Sequence, residues 1–300
     1  MTPPRVFAIV VTFNGGEVTR DCVSSLQQGC HADLSILVVD NASTKVEQAD
    51  LHARWDGEPD IEVITLLENR HFAGGVNAGA ARALADGATH LFFLNNDTVI
   101  EPGCIDLLLQ EATENPEAGI YGPALLDLGD RHAISLGERY AAWSLALPRA
   151  VLRVRSASAS SYPVGGIMGS AILVSADCLR QVGPYREDLL VYYEEVDFCL
   201  RARALGFQPH IVSDAIVLHD GMRGFTSGLQ PYAARLKIRN QLRLAYDHGG
   251  WPGFLIFFPT FLALLMGSTI VYVWRGDGPT VRALWAGLVE GLSWLWRGRL

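Results

Sequence analysis

The sequence predicts an α/β fold on a mostly parallel central sheet, and three observations carry that prediction. Short apolar runs alternate with helical patterns through the first third, each run closes on a polar cluster, and 49% of the 300 residues are apolar against 19% charged. The runs Val6–Val11, Leu34–Val39, Ile61–Ile64 and His90–Leu94 are rich in branched and aromatic side chains. Such runs suit strands buried on both faces. Between them, Val18–Gln28 and Ala73–Ala85 repeat apolar residues at spacings of three and four. The reading is βαβαβαβ, an open parallel sheet. No repeat with a period of about 20 to 50 residues recurs, so a solenoid is not expected.

The chain is less regular from 126 to 162, where turns, a hairpin or a loop are expected. After Pro163 the pattern sharpens. Val164-Gly165-Gly166-Ile167-Met168-Gly169-Ser170 leads to a strand over Ala171–Val174 and a helix opening at Ala176. Glu194-Glu195-Val196-Asp197 heads a further helix through Arg203, which Gly206 stops. A strand near Pro209–Val212, the run His219-Asp220-Gly221 and an Arg-rich helix from Pro231 to Tyr246 follow.

Trp251 to Trp274 holds 24 residues without a charge. As a helix at about 1.5 Å per residue it would cover about 36 Å, enough for a bilayer core. Trp at both ends suits the interface, whereas Pro252 and Pro259 break the first half and basic residues flank both sides, giving no orientation. Beyond it, Leu284, Trp285, Leu288, Val289, Leu292, Leu295 and Trp296 share one face of a helix, the pattern of a helix lying in the headgroup plane. Membrane association is expected, with a buried core or oligomer helix as the competing reading.

Composition narrows the function. A formal charge of −8 argues against nucleic acid as a partner. Five cysteines, at 22, 30, 104, 178 and 199, form no CxxC pair, so neither a zinc knuckle nor a disulfide scaffold is indicated. The start Met1-Thr2-Pro3-Pro4-Arg5 runs into a strand without a signal-peptide pattern, so export is not expected.

The polar clusters behind the strands are Thr12-Phe13-Asn14-Gly15-Gly16, Asp40-Asn41-Ala42-Ser43, Glu68-Asn69 and Asn95-Asn96-Asp97-Thr98. Singly, each reads as a turn or helix cap. Together they belong to the carboxyl edge of a parallel sheet, where such sheets bind ligands. The run Ala73-Gly74-Gly75-Val76-Asn77-Ala78-Gly79 lacks the Lys and Ser or Thr of a Walker loop and the second glycine of GxGxxG, which disfavours a nucleotide-dependent oxidoreductase. Either a ligand backbone or close helix packing explains its glycines. Asp97 emerges at this edge either as a helix cap before Pro102 or as an oxygen ligand for Mg²⁺ or Mn²⁺, and His219 reads either as a structural histidine or as an added nitrogen ligand. Glu194, Glu195 and Asp197 suit a helix N-terminus, where the dipole favours negative charge. Adjacent residues point apart, so one glutamate can face the crevice as a general base.

Taken in order, Thr12-Phe13-Asn14, Val38-Val39-Asp40-Asn41-Ala42-Ser43, Glu68-Asn69 with Phe72–Gly79, Leu94–Thr98, Tyr193–Arg201 and His219 resemble glycosyltransferase family 2, particularly its bacterial rhamnosyltransferase-like members, over about residues 5 to 245. The resemblance implies a GT-A fold, a nucleotide-sugar donor, a divalent metal (Mg²⁺ or Mn²⁺) and inversion at the anomeric carbon. By position, Asp40 resembles the residue that reads a pyrimidine base, with Thr12 and Asn14 lining the nucleotide. Asn41, Asn69, Gly74, Gly75, Asn77 and Asn96 are assigned to the same subsite. Asp97 resembles the last acid of the DxD-type metal motif, Glu195 the catalytic base and His219 a metal or diphosphate contact. Gly166, Glu194 and Asp197 are assigned to the acceptor or to helix capping. Two positions depart from the family pattern: Asn95-Asn96-Asp97 carries one acid rather than two, and Glu195 stands where Asp is commoner. The implied organisation is a GT-A domain over 1–248, with a nucleotide-binding half over 1–125 and an acceptor half over 126–248, followed by a membrane-associated segment over 249–300. The implied enzyme is peripheral or monotopic at the cytoplasmic membrane face. It moves a sugar from dTDP-rhamnose or a UDP-sugar to a saccharide acceptor, lipid-linked, in cell-envelope polysaccharide synthesis. A homo-oligomer is compatible with it, and a catalytically silent glycan- or nucleotide-binding protein of an envelope assembly complex is the alternative.

Overall fold

The computed structural model describes residues 4–29, 33–140, 144–145, 154, 159–220 and 230–297. Cys30, Gly221, most of the irregular segment before 159 and the side chains of Trp296 and Arg297 lie outside the described residues. The chain divides into two compact units: one of residues 1–138, 154–190 and 194–223, the other of residues 139–153, 191–193 and 224–300.

The first unit carries the sheet. Its elements run β1 (Arg5–Thr12), α1 (Gly16–Gly29), β2 (Asp33–Asp40), α2 (Lys45–Trp55), β3 (Ile61–Thr65), α3 (His71–Ala85) and β4 (His90–Asn95). They continue with β5 (Thr98–Ile100), α4 (Cys104–Glu114), β6 (Ile120–Asp127), β7 (Ala133–Ser135), β8 (Ser161–Pro163) and β9 (Ala171–Ser175). Last come α5 (Ala176–Val182), α6 (Glu194–Ala204) and β10 (His210–His219). The strand order is β3-β2-β1-β4-β9-β6-β10-β5, with β7 beside β6 and β8 beside β10. β1, β2, β3, β4, β6 and β10 share one direction, because β9 runs antiparallel to both β4 and β6. The mostly parallel sheet of a GT-A fold is therefore present.

Why these runs became strands is plain from their burial. Val6, Ala8 and Val10 of β1 face Cys22, Val23 and Leu26 of α1 and Ile105 and Leu108 of α4 within one apolar core. Phe7, Ile9 and Val11 are buried on the other face, where α3 lies. A Cβ placed at Gly75 would stand 2.6 Å from Val11 Cγ1, and one at Gly79 2.5 Å from Ile9 Cγ2. The α3 glycines thus set a close helix-to-sheet approach, and each large side chain buried there contributes about 1.5–3 kcal/mol.

The second unit contains α7 (Gln230–Trp274), interrupted at Gly250 (φ 56°, ψ −165°) just before Pro252, and α8 (Gly278–Arg297). Its core draws on Leu236, Leu242, Phe257, Phe261 and Leu265 of α7 and Leu284, Leu288 and Leu295 of α8. Gly287 and Gly291 admit the backbone of Arg235 and the side chain of Leu242, and Arg235 pairs with Glu290 at 2.5 Å. Of the stripe expected to lie in the headgroup plane, Leu284, Leu288 and Leu295 are buried within the unit, whereas Val289 stays 63% exposed. α7 turns a larger apolar face outward, through Leu255, Ile256, Leu262, Met266, Ile270, Val273 and Trp274. Amphipathicity alone reads the same whether an apolar face meets lipid or a neighbouring helix.

Candidate active site

Register gathers the strand ends on one edge. Thr12 pairs with Asp40, Asp40 with Thr65, Val11 with Asn95, and His219 with both Asp127 and Thr98. Four sequence-distant polar clusters thereby line one rim.

At one end of the rim, protein groups satisfy one another. Thr12 and Thr19 share a hydroxyl contact of 2.8 Å, and Asn96 Nδ2 donates to Thr19 at 3.0 Å. Gly15 is required above them, since a Cβ there would sit 2.2 Å from Asn96 Nδ2. Asn14 adopts φ 53°, a left-handed conformation that Asn tolerates, and both its backbone N–H and its Oδ1 bond the 43–44 turn, at 2.8 and 2.9 Å. Asp40 is fully buried and accepts from Ser43 N–H at 3.1 Å and from Gln48 Nε2 at 2.9 Å.

Asn41 clamps the start of α3, donating to His71 O and accepting from Arg70 N–H, both at 2.8 Å, while Asn69 accepts from His71 N–H. Asn77 brackets Tyr185: its Oδ1 takes the Tyr185 N–H and its Nδ2 reaches the Tyr185 carbonyl, each at 2.9 Å. Gly74 lies beneath the Arg70 side chain, which forms a forked pair with Glu187 at 2.6 and 2.8 Å. Of the two explanations open for the glycine run, Gly75 and Gly79 follow close helix packing.

The other end is arranged differently. Asp97, 8% exposed, brings Oδ1 to 3.2 Å from His219 Nε2 in a geometry that makes no hydrogen bond. That buried oxygen has no hydrogen-bond donor among the described residues. Such a group is expensive to bury unless a ligand completes it. Ser170 Oγ lies 3.5 Å from the same His219 nitrogen, and the Ser170 carbonyl accepts from Asn95 N–H at 3.0 Å. The preceding Gly169 abuts Glu195: a Cβ there would meet Glu195 Cγ at 3.3 Å. Asp97, His219 and Glu195 are thus linked through Gly169-Ser170, two residues the sequence reading quoted but gave no role. Their only sequence signal was small residues immediately before a buried strand.

Among the other acids, Asp197 has a visible structural task. Asp197 takes the Arg201 guanidinium at 2.7 Å, and Arg201 also donates to the Val182 and Pro184 carbonyls, tying α6 to the preceding loop. Gly166 exchanges backbone hydrogen bonds with Glu138. Glu194 is buried beside Glu195 at the head of α6. Tyr185, missed by sequence reasoning, packs against Phe93 and Phe198, and burial together with the nearby Cys199, Glu195 and Glu194 holds its phenol well above the usual range. Burial likewise pushes the thiols of Cys22 and Cys178 up to about 12.

The donor set at Asp97 and His219, one hard oxygen and one imidazole, suits a divalent ion such as Mn²⁺. A second cluster, Asp127, Asp130 and His132, occupies the turn after β6. There Asp127 Oδ1 accepts from the N–H groups of Gly129 and Asp130, and Asp130 from that of His132.

Sheet order and rim together define a GT-A glycosyltransferase. The chain belongs to glycosyl transferase family 2, whose family model matches residues 7–176, more than half of its length. It is similar to N-acetylglucosaminyl-diphospho-decaprenol L-rhamnosyltransferase of Mycobacterium tuberculosis, 28% identical over 81% of this chain and 85% of that one. A dTDP-rhamnosyl transferase of Shigella flexneri is 23% identical over 72% and 69%. Among solved structures, a mannosyltransferase of Pyrobaculum calidifontis in complex with GDP-Man and Mn²⁺ shares the fold, with a TM-score of 0.61 at 14% identity, covering 97% of this chain and 88% of that one.

Proposed function

We propose that this glycosyltransferase transfers rhamnose, with inversion, from dTDP-rhamnose to a lipid-linked saccharide in cell-envelope polysaccharide synthesis. One observation carries the reading: Asp97, His219 and Glu195 converge through Gly169-Ser170 on the rim where the parallel strands end. The rhamnosyl relatives supply the sugar and the prenyl-diphosphate acceptor class.

The nucleotide occupies the Thr12, Asn14, Asp40, Asn41 and Asn96 end, within residues 1–125 of a catalytic domain extending to 248. Asn69, Gly74 and Asn77 shape the start of α3 beside it, and Gly75 keeps α3 close on the sheet beneath. Asp97 and His219 would hold a divalent cation, whose positive charge would offset that of the diphosphate. Glu195 accepts the proton of the acceptor hydroxyl while that oxygen bonds to the anomeric carbon. The bond from that carbon to the diphosphate breaks on the opposite face, so the configuration inverts.

Residues 249–300 dock the enzyme on the cytoplasmic membrane face through the outward face of α7. A partly buried helix pair with Ile256 and Ile270 at least 65% exposed favours a monotopic attachment. Sedimentation with anionic vesicles is expected for the native chain and not for Ile256→Glu combined with Ile270→Glu. Equal sedimentation of both would refute the face.

The test of the reading as a whole is a thermal-shift panel of dTDP-rhamnose, UDP-sugars and NAD, each with and without Mn²⁺. A Mn²⁺-dependent rise with dTDP-rhamnose, followed by transfer to N-acetylglucosaminyl-diphospho-decaprenol, supports it. Binding without transfer favours a silent binder.

A further inference from the structure

We infer that Asn240 is a positioning residue for the reaction, fixing the strained backbone that delivers Glu195. The inference rests on Glu195 being the base. Leu190, Tyr192 and Tyr193 have φ of 66°, 71° and 74°. Residues bearing a Cβ rarely adopt that region, and three within four positions persist only where the surroundings impose them. Glu194 and Glu195 follow at once.

The imposing contact is on α7. The Asn240 side chain is fully buried and its Nδ2 donates to two consecutive carbonyls, Val191 O at 3.2 Å and Tyr192 O at 2.8 Å. Arg239 Nε donates to Asn240 Oδ1 at 2.9 Å, which fixes the amide's orientation. The Lys237 ammonium lies 4.7 Å from the Tyr192 ring centroid. Both amide hydrogens are thus aimed at adjacent peptide planes, which immediately precede Glu194 and Glu195 in the chain. Only a neutral amide does this. An aspartate of the same shape would set a negative oxygen against two carbonyl oxygens.

The experiment measures rhamnosyl transfer from dTDP-rhamnose to N-acetylglucosaminyl-diphospho-decaprenol by the native chain, Asn240→Asp, Asn240→Ala and Glu195→Gln. A misplaced base predicts that both Asn240 variants lose about 10- to 100-fold in kcat. Their KM for dTDP-rhamnose and their dTDP-induced melting shift stay within about twofold of native, because the nucleotide end is untouched. Adding Tyr192→Gly to Asn240→Asp restores part of kcat, since glycine adopts positive φ without a Cβ penalty. Native kcat in both variants overturns the inference. So does a joint fall of kcat, donor affinity and melting temperature that Tyr192→Gly does not relieve. Activity retained by Glu195→Gln overturns the base reading itself, whereas an inactive Glu195→Gln beside fully active Asn240 variants overturns the Asn240 role alone.

Discussion

The two ends of the strand rim differ in how their polar groups are satisfied. At the end proposed for the nucleotide, the side chains of Asn14, Asp40, Asn41 and Asn77 bond to protein groups of neighbouring segments. At the transfer end, Asp97 keeps a buried oxygen without a donor, beside His219 and next to the segment that abuts Glu195. The first end is a mould finished by folding. The second is left electrostatically open, as a site must be if it is to stabilise charge that appears only during reaction.

That contrast can be broken in graded ways. Glu195→Gln is expected to have the largest effect, a loss of about 10²- to 10⁴-fold in turnover with donor binding unchanged, measured by transfer assay and calorimetry on one preparation. Next comes Asp97→Ala, which should abolish the Mn²⁺ dependence of the donor-induced melting shift while changing the unliganded melting temperature little, since the buried Asp97 Oδ1 makes no hydrogen bond for the substitution to remove. Asn77→Ala acts oppositely. It strips partners from both backbone groups of Tyr185 and should lower stability by about 1–3 kcal/mol in urea denaturation, with Mn²⁺ dependence intact.

The smallest effect concerns acid. The hydrogen bond from Arg70, ahead of other causes, holds the Glu187 carboxyl below its ordinary 4.5. A carboxyl lowered in the folded state stabilises the fold above its unfolded pKa and loses that contribution as pH falls through its folded value. Native and Arg70→Ala melting temperatures should therefore differ modestly at neutral pH and converge below the ordinary glutamate range. The pair is more than a third exposed, which keeps the difference small.

Much of the first unit was legible because strands buried on both faces write themselves as short apolar runs, as β1, β2 and β4 do. β6 escaped because Gly122 and Pro123 interrupt its run, and β5 because three residues carry no periodicity. The insertion of antiparallel β9 between β4 and β6 is a tertiary choice that no local pattern encodes. At the site, residue type located the rim but not the duties along it. Asparagines of one type take different partners that the sequence does not announce: Asn41 holds the start of α3 and Asn77 the Tyr185 backbone. Gly169 and Ser170 became meaningful only once β9 brought them beside Glu195 and His219.

The most direct test is an anomalous difference map at the manganese edge from crystals grown with dTDP and Mn²⁺. A peak within bonding distance of Asp97 Oδ1 and adjoining the diphosphate is the predicted result. A peak confined to the Asp127, Asp130 and His132 turn, with the diphosphate remote from Asp97, would contradict the assignment of the transfer end.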